Sequence, residues 1–299
     1  SAVNAALYRS VLPAENLLLV NTPTRFNSET TKNLARRLAE NLEAPFVELP
    51  IDSFINETVS QIDDLQIPFP SDMKTLHLTG FMKENIQARD RSTRILATLS
   101  SAFGGIFTCN ANKTELTVGY GTLYGDLSGA LAATADLWKH QIYALGRTLN
   151  RYFDKNMIPD EIFTVRPSAE LSENQDITKG LGDPLIYEYH DFLFRSFIEP
   201  WNRITPEEIL TWYSKNCLEE KLGTPVSIKS IFKTHHDFIT DLEKWWNLFA
   251  GFAVAKRIQA PPLLAVSRRP YGYDLRESQI APYYTDTYIH LKNSLLSNG

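Results

Sequence analysis

The chain has 299 residues, a length that suits one large domain or two smaller ones. It is 43% hydrophobic and 22% charged, which is ordinary for a globular protein. The net charge of −5 argues against nucleic acid as a partner, because nucleic-acid binding needs a basic face, and it provides no polybasic anchor for a membrane.

Other whole-chain features favour a cytoplasmic protein. No apolar run approaches the roughly 20 residues that span a bilayer, and the first residues lack the layout of a signal peptide. Cys109 and Cys217 form no CxxC pair, which indicates a reducing compartment. The single adjacent histidine pair, His235 and His236, and the absence of an HExxH motif disfavour a catalytic zinc site.

In chain order, the first fifty residues alternate predicted helices and strands. Residues 1–12 predict a helix, and ENLLLVNTP predicts a short strand that a proline turn ends. A second helix begins near Ser28, with leucines four apart on one face, and Phe46 to Leu49 is a second strand. Residues 51–80 mix acids, prolines and serines, and they predict a mobile or inserted segment.

The following residues continue the alternation. Residues 84–105 predict a long helix, GIFTC at 105–109 a third strand, and residues 136–153 another helix. Helices between strands predict a parallel sheet that helices cover on both faces. Ligands of such sheets bind beyond the carboxyl ends of the strands.

From about Arg166 the composition becomes aromatic. We therefore predict an α/β core over residues 1–165 and a helical, substrate-binding extension of the same domain over residues 166–299. Within that extension Thr205, Pro206 and Glu208 have the pattern of a capping box, and residues 241–258 predict a helix.

Two polar clusters could carry chemistry. Asn85 and Arg89 are one helical turn apart, so an amide and a guanidinium could hold a carboxylate or phosphate. The alternative is a solvated face on which local acids pair with the arginines. The second cluster, NANKTE at residues 110–115, follows the predicted third strand. Its amides, hydroxyl and carboxylate suit a hard cation such as Mg²⁺, and the alternative is a polar turn that caps the next element.

A third cluster, Lys256 and Arg257, stands at a predicted helix C-terminus, where the helix dipole alone would favour basic residues. No GxGxxG, GxxxxGK[ST] or GxSxG motif occurs, so Rossmann, Walker and nucleophile-elbow sites have no support.

Taken together, the motifs follow a known order. ENIQAR, NKTELTVGYGTLYGD, DLWKHQIYALG, PSAEL and KRIQAPP resemble the synthetase portion of NAD+ synthetases, in particular the C-terminal half of the glutamine-dependent type. The resemblance covers essentially the whole chain. It implies an ATP-pyrophosphatase α/β fold, Mg²⁺, and a homodimer or higher homo-oligomer. The implied reaction adenylylates the nicotinate carboxylate of deamido-NAD+ with ATP, after which ammonia displaces AMP.

The same resemblance implies roles for individual residues. Asn85 and Arg89 would hold deamido-NAD+, Glu115 would bind Mg²⁺ or lie against the substrate, and Lys139 would contact ATP phosphate. Glu115 and Lys139 are thus the implied catalytic residues. The remaining implied contacts are Ser1, Arg25, Asn110 and Ser168 for ATP, and Lys256 for deamido-NAD+.

Two departures from the family pattern matter. Leu123 stands where ammonia-dependent members often have a substrate-binding lysine. The family's phosphate-binding Ser-Gly-Gly-x-Asp-Ser loop should precede residue 1, and Ser1 looks like its last serine. The glycines, the metal-binding aspartate, the first strand and any glutaminase domain of the full-length parent would then lie outside this sequence. We therefore expect this chain alone to make NAD+ poorly, and the alternative function is a truncated, non-catalytic nucleotide-binding or dimerisation module.

Overall fold

The structure is a computed structural model that describes residues 1–271 and 282–297. The chain forms two compact units whose segments alternate along the sequence. The first unit comprises Ser1–Asn110, Thr122–Leu131 and Ile142–Pro184, and the second comprises Ala111–Gly121, Ala132–Gln141 and Leu185–Gly299. The boundary that we predict between residues 165 and 166 stays a prediction. In the described part of the chain, no helix combines the length and the apolar character needed to cross a bilayer.

The first unit contains a parallel strand pair between helices, as predicted. Strand β1 pairs with β2 in parallel, with Leu19 opposite Phe46. Helix α2 begins where the Ser28 side chain accepts a hydrogen bond from the backbone of Thr31 at 3.3 Å, a cap that satisfies one end of the helix. The bounds are α1 (Ala2–Arg9), β1 (Leu19–Asn21), α2 (Glu29–Leu42) and β2 (Phe46–Glu48).

The core of this unit explains why α1 and α2 form. The predicted leucine face of α2 is buried, and Leu42 is fully inaccessible to solvent. This face of α2 packs against the alanine-rich α1 and against the helix that begins at Lys139. The buried members of this core are Val3, Ala5, Ala6, Leu38, Leu42, Leu149, Met157 and Ile158.

Residues 51–80 carry more regular structure than we predict. They form a helix and an antiparallel hairpin whose two-residue turn is Pro70-Ser71, with Gln66 opposite Thr75. The next predicted helix is confirmed and begins four residues early, where Thr79 caps it, and it continues through a π-helical stretch, Asp90–Leu96. The bounds are α3 (Asp52–Ile62), β3 (Gln66–Phe69), β4 (Asp72–Thr75), α4 (Gly80–Arg89) and α5 (Ala97–Phe103).

The predicted third strand, GIFTC, is wrong. Residues 105–112 form neither helix nor strand beyond a bend at Gly105. Their backbone bonds go to another irregular segment instead, since Cys109 N donates to Leu131 O and Ala130 N donates to Phe107 O. A side chain at Gly129, whose φ is +137°, would lie 2.8 Å from the Cys109 nitrogen, so only glycine permits this close approach.

The second unit is helical. Both the Thr205 and Thr234 side chains form capping boxes, and the one at Thr205 with Pro206 and Glu208 is as predicted. The single helix predicted over residues 241–258 is instead two helices that separate at Gly251. The bounds of its helices are α6 (Lys113–Val118), α8 (Tyr187–Ile198), α9 (Pro206–Ser214), α10 (Leu218–Leu222), α11 (Ile228–Ile231), α12 (His235–Ala250), α13 (Ala253–Gln259) and α14 (Asp286–Ser297). Helix α7 (Lys139–Tyr152) has its first three residues in this unit and the rest in the first unit.

Aromatic side chains fill the core of this unit. His190 on α8 is fully buried, stacks on Phe194 with ring centroids 5.3 Å apart, and lies 5.1 Å from the Trp245 ring. Its Nε2 is 3.0 Å from a carboxylate oxygen of Asp241, which satisfies the buried imidazole. Aromatic residues that the sequence places after Arg166 thus pack α8 against α12.

We predict that Leu42→Ala destabilises the protein by about 3 kcal/mol, because it removes buried methyl groups and leaves a cavity. Urea unfolding followed by circular dichroism measures this change. Leu65→Ala is the control in the same unit, since Leu65 is 46% exposed and should lose less than about 1 kcal/mol. Equal losses in the two variants would contradict the placement of Leu42 in the core.

Candidate functional site

Glu115 lies at the third position of α6, where it forms a capping box with Asn112. Its Oε2 accepts from the Asn112 backbone N–H at 3.0 Å, and the Asn112 side chain accepts from Glu115 N at 3.0 Å. Residues 112–115 thus form the polar turn that caps the next element, and the Mg²⁺ role of Glu115 stays a prediction. The other carboxylate oxygen of Glu115, Oε1, lies 3.7 Å from Lys139 Nζ.

Lys139 is the first residue of α7 and faces Glu115. The ammonium also lies 4.8 Å from the centroid of the Tyr187 ring. Both charged side chains are about four-fifths buried, at 19% and 18% exposure. The structure therefore brings the two implied catalytic residues together as a partly desolvated pair of opposite charges, which a charged ligand can still reach.

The backbone around this pair is held by a network that we did not predict. Thr114 donates its hydroxyl hydrogen to the fully buried Asp191 at 2.5 Å and accepts a bond from Lys139 N at 3.1 Å. Asp191 also accepts from His140 N at 2.8 Å. Asp191 lies in the aromatic α8, 76 positions after Glu115, so no local spacing could have linked the two.

Lys113, which we placed in the predicted polar cluster, is fully buried. Its ammonium donates to Asp136 at 2.9 Å and to Ser267 Oγ and Arg269 O, each at 2.9 Å. Burial alone would raise the pKa of Asp136, but the hydrogen bonds from Lys113, Ser267 and Val266 outweigh it and hold the pKa below its ordinary value. Lys113 and Asp136 thus stabilise the chain around residues 266–269.

Lys256 is directed at the glycine-containing loop after α6. Its ammonium donates to Gly119 O at 2.7 Å and Gly121 O at 2.5 Å. Gly119 has a φ of +64°, and a side chain there would lie 2.9 Å from the Ala253 Cα, so only glycine fits. The glycine at 119 is therefore required by the close approach of Ala253.

Asn85 and Arg89 both lie on α4, as predicted, and the structure brings them to residues 122–123. Thr122 donates its hydroxyl hydrogen to Asn85 at 2.6 Å, and Arg89 Nε donates to Leu123 O at 3.1 Å. Arg89 is exposed and makes no ion pair with a residue in the described part of the chain, and the neighbouring Asp90 pairs with Arg94 at 2.5 Å.

The other implied nucleotide contacts lie in the first unit. Asn110 is exposed and accepts a bond from Asn4 at 2.8 Å. Arg25 is exposed, with its guanidinium 4.9 Å from the Phe26 ring. Ser168 donates to Gln175 O at 2.6 Å, and Ser1 precedes α1 without capping it through its side chain.

Glu170, in the PSAEL motif, is a buried residue whose contacts we missed. It accepts from Thr31 Oγ1 at 2.6 Å and from Ser28 N at 3.2 Å, and it has a φ of +47°. Its carboxylate therefore stabilises the N-terminus of α2, where negative charge is favourable.

Glu115 offers one carboxylate, which suits a metal ion whose other ligands come from the substrate and from water. Among residues 1–271 and 282–297, Glu115 belongs to no group of three His, Cys, Asp or Glu side chains close enough to share an ion. The group of that kind in these ranges is Asp63, Asp64 and His77, on the hairpin side of the first unit. A single carboxylate fits Mg²⁺, which commonly takes one or two carboxylates and completes its shell with phosphate and water.

Comparison with known proteins identifies the family. A family model described as NAD synthase matches residues 1–230. The chain belongs to the NAD synthase family. The glutamine-dependent NAD+ synthetase of Thermotoga maritima is 32% identical over 209 residues, which are 70% of this chain and 34% of that protein. The corresponding protein of Xanthomonas campestris is 30% identical over 280 residues, which are 92% of this chain and 43% of that protein.

This chain matches a larger share of a shorter relative. The NH3-dependent NAD+ synthetase of Helicobacter hepaticus is 32% identical over 224 residues, which are 74% of this chain and 76% of that protein. By contrast, the chain spans 34–43% of the glutamine-dependent relatives above.

The fold comparison confirms the predicted class. A crystal structure of a glutamine-dependent NAD+ synthetase from Cytophaga hutchinsonii superposes with a TM-score of 0.62 over 93% of this chain and 40% of that chain, at 18% identity. NMN synthetase from Francisella tularensis gives 0.53 over 76% of this chain and 83% of that one, at 21% identity. The chain therefore has the α/β ATP-pyrophosphatase fold, with a parallel sheet between helices and a helical C-terminal extension.

We predict that Asp136→Asn lowers the free energy of unfolding at pH 7, and that the difference from the unmodified protein shrinks on acidification. A carboxyl whose folded pKa is depressed stabilises the fold above its unfolded value, near 3.8, and loses that contribution as the pH falls through the folded value. Urea unfolding between pH 7 and pH 3 measures both proteins. A difference that stays constant over this range would contradict the ionised state of Asp136.

Proposed function

We propose that this chain is the synthetase part of an NAD+ synthetase, which amidates deamido-NAD+ with ATP and ammonia and releases AMP and pyrophosphate. The observation that carries the proposal is the NAD synthase match over residues 1–230. The similarity to the Helicobacter hepaticus protein supports an ammonia-dependent reaction, since 76% of that protein is covered.

The reaction balances in two steps. A carboxylate oxygen of the nicotinate group bonds to the α-phosphorus of ATP, the bond to the bridging oxygen breaks, and pyrophosphate leaves. Ammonia then attacks the acyl carbon, AMP leaves with the electron pair of the C–O bond, and the nitrogen loses a proton. The first step brings two anions together, so catalysis needs cations that neutralise the growing charge.

Lys139 is the cation that we assign to the ATP phosphates. The first N–H groups of α7 already donate to Thr114 and Asp191, so Lys139 would act through its ammonium rather than through the helix N-terminus. Glu115 is the residue that would hold Mg²⁺, and bound Mg²⁺ supplies further neutralisation of the phosphate charge. No side-chain nucleophile is required.

The remaining assignments concern substrate contacts. Arg89 is suited to an anionic group of deamido-NAD+, because it is exposed and lacks an ion pair with any residue in the described ranges. Asn85 would add an amide contact from the same helix face, and Lys256 an ammonium. The proposed ATP contacts are Ser1, Arg25, Asn110 and Ser168.

The proposal extends to the setting of the enzyme. The relatives named glutamine-dependent support a glutaminase domain in the complete protein, which would supply the ammonia. A cytoplasmic location and a homodimer or higher homo-oligomer remain predictions, and the net charge of −5 favours neither a membrane nor nucleic acid as a partner.

The direct test incubates the complete protein with deamido-NAD+, ATP, Mg²⁺ and ammonium. We expect NAD+, AMP and pyrophosphate in equal amounts, measured by chromatography. ADP and phosphate as products would overturn the adenylylation step. Absence of any product would favour the non-catalytic module instead.

We predict that Glu115→Gln lowers turnover by about 10²–10³-fold, because the metal-binding carboxylate is lost. Steady-state kinetics at limiting Mg²⁺ measure the effect. Glu208→Gln is a matched control, since Glu208 holds the same position in the capping box of α9 and Thr205 N donates to it at 2.9 Å. Similar turnover in the two variants would show that Glu115 only caps its helix and does not bind the metal.

Removal of the Lys139 ammonium should raise the KM for ATP and slow adenylylation. We expect Lys139→Ala to lose about tenfold or more in kcat/KM for ATP, since a charge-assisted phosphate contact disappears. Lys244→Ala serves as control, because its ammonium lies 4.4 Å from the Trp245 ring, much as Lys139 lies near Tyr187. Unchanged ATP kinetics in Lys139→Ala would show that this lysine makes no functional contact with ATP.

A further inference from the structure

Asp191 has no role in the proposed chemistry, yet it is fully buried and heavily bonded. Its Oδ1 accepts from the Thr114 hydroxyl at 2.5 Å, and its Oδ2 accepts from His140 N at 2.8 Å. The His140 ring nitrogen Nδ1 lies 2.8 Å from the same Oδ2. A buried carboxylate is retained only where such partners replace its hydration.

The contact with Thr114 reaches both members of the charged pair. Thr114 immediately precedes Glu115 on α6, so fixing its side chain fixes the first turn of that helix. The same hydroxyl accepts from Lys139 N at 3.1 Å. One hydrogen-bonded chain therefore runs from Asp191 through Thr114 to the backbone of Lys139.

The contact with His140 holds Lys139 from its other side. Both the backbone and the ring of His140 meet Asp191, and the ring stacks on Phe192 with centroids 5.3 Å apart. The carboxylate also lies at the N-terminus of α7, where a negative charge interacts favourably with the helix dipole. Lys139 thus begins its helix with its own N–H and the next one fixed.

We propose that Asp191 is a positioning residue that sets Lys139 opposite Glu115, with Thr114 as the link between them. This inference rests on the proposed function, because it assigns a catalytic consequence to the geometry. Asp191 itself contacts no reacting atom. It helps to place the Lys139 ammonium 3.7 Å from Glu115 Oε1.

The structure offers a matched comparison that separates positioning from stability. Asp241 is also a carboxylate paired with a histidine in this unit, accepting from Trp245 Nε1 at 2.9 Å and lying 3.0 Å from His190 Nε2. It makes no hydrogen bond or ion pair with Glu115, Thr114 or Lys139 that involves its carboxylate in the described structure. Asp241→Asn should therefore destabilise the fold without changing the geometry of the charged pair.

The first experiment compares Asp191→Asn with Asp241→Asn in the complete protein. An asparagine at 191 cannot accept every bond that the carboxylate accepts, so the start of α7 should shift. We expect a loss of about 10–100-fold in kcat/KM for ATP in Asp191→Asn, with less than about a twofold change in the KM for deamido-NAD+. Asp241→Asn should keep both parameters within about twofold. Equal kinetic losses in the two variants would overturn the proposal.

A second pair protects the test against a variant that fails to fold. Thr114→Ser keeps the linking hydroxyl, whereas Thr114→Val keeps the shape and removes it. We expect the serine variant to retain ATP kinetics close to those of the unmodified protein and the valine variant to lose about 10-fold or more in kcat/KM for ATP. Identical kinetics in the two would overturn the link through Thr114.

A readout without substrate distinguishes failure of this inference from failure of the proposed function. Hydrogen exchange of the peptide containing the Lys139 and His140 amides should be slow in the unmodified protein and faster in Thr114→Val, but unchanged in Asp241→Asn. Unchanged exchange in Thr114→Val would refute positioning whatever the enzyme does. Altered exchange in a protein that makes no NAD+ from any ammonia source would refute the proposed function and leave the structural link intact.

Discussion

Two buried carboxylates hold the short helix α6, and the candidate chemistry depends on them. Asp136 accepts from Lys113, and Asp191 accepts from Thr114, so consecutive residues at the start of α6 are each tied to a carboxylate removed from water. Removing one partner of a buried ion pair is expensive, because it leaves an uncompensated charge. Six residues would not form a stable helix alone. These anchors, with the Asn112 capping box, fix where Glu115 lies.

The same anchors determine which groups at the start of α7 are left to contact a ligand. The first N–H groups of α7 are satisfied by the protein itself, so the phosphate contact proposed for this site would be made by the side-chain ammonium of Lys139, next to the Glu115 carboxylate. Glu115 serves two purposes, since one oxygen caps α6 and the other faces Lys139. Lys256 also has two roles. Its ammonium donates to Gly119 O and Gly121 O, and the family resemblance implies that it contacts the substrate.

Local signals in the sequence predict the elements whose causes are local. The leucine spacing of α2, the parallel strands β1 and β2, and the capping box at Thr205 all follow from neighbouring residues. GIFTC misleads because a short apolar run does not reveal its partner, which is the irregular segment near Leu131. The β3–β4 hairpin was missed because its Pro70-Ser71 turn lacks the usual glycine signal. The family resemblance implied separate roles for Glu115 and Lys139, and only the structure shows that the two side chains face each other. Asp191 could not be found from the sequence, since tertiary structure alone joins α8 to α6.

In the proposed reaction, Glu115 and Lys139 act together on metal-bound ATP. A crystal structure of the protein with Mn²⁺ in place of Mg²⁺ and a non-hydrolysable ATP analogue tests it most directly, because the anomalous signal locates the metal. We expect a metal peak at bonding distance from a Glu115 carboxylate oxygen, and a phosphate oxygen within hydrogen-bonding distance of Lys139 Nζ. A metal bound instead at Asp63, Asp64 and His77, with Glu115 still only capping α6, would contradict it.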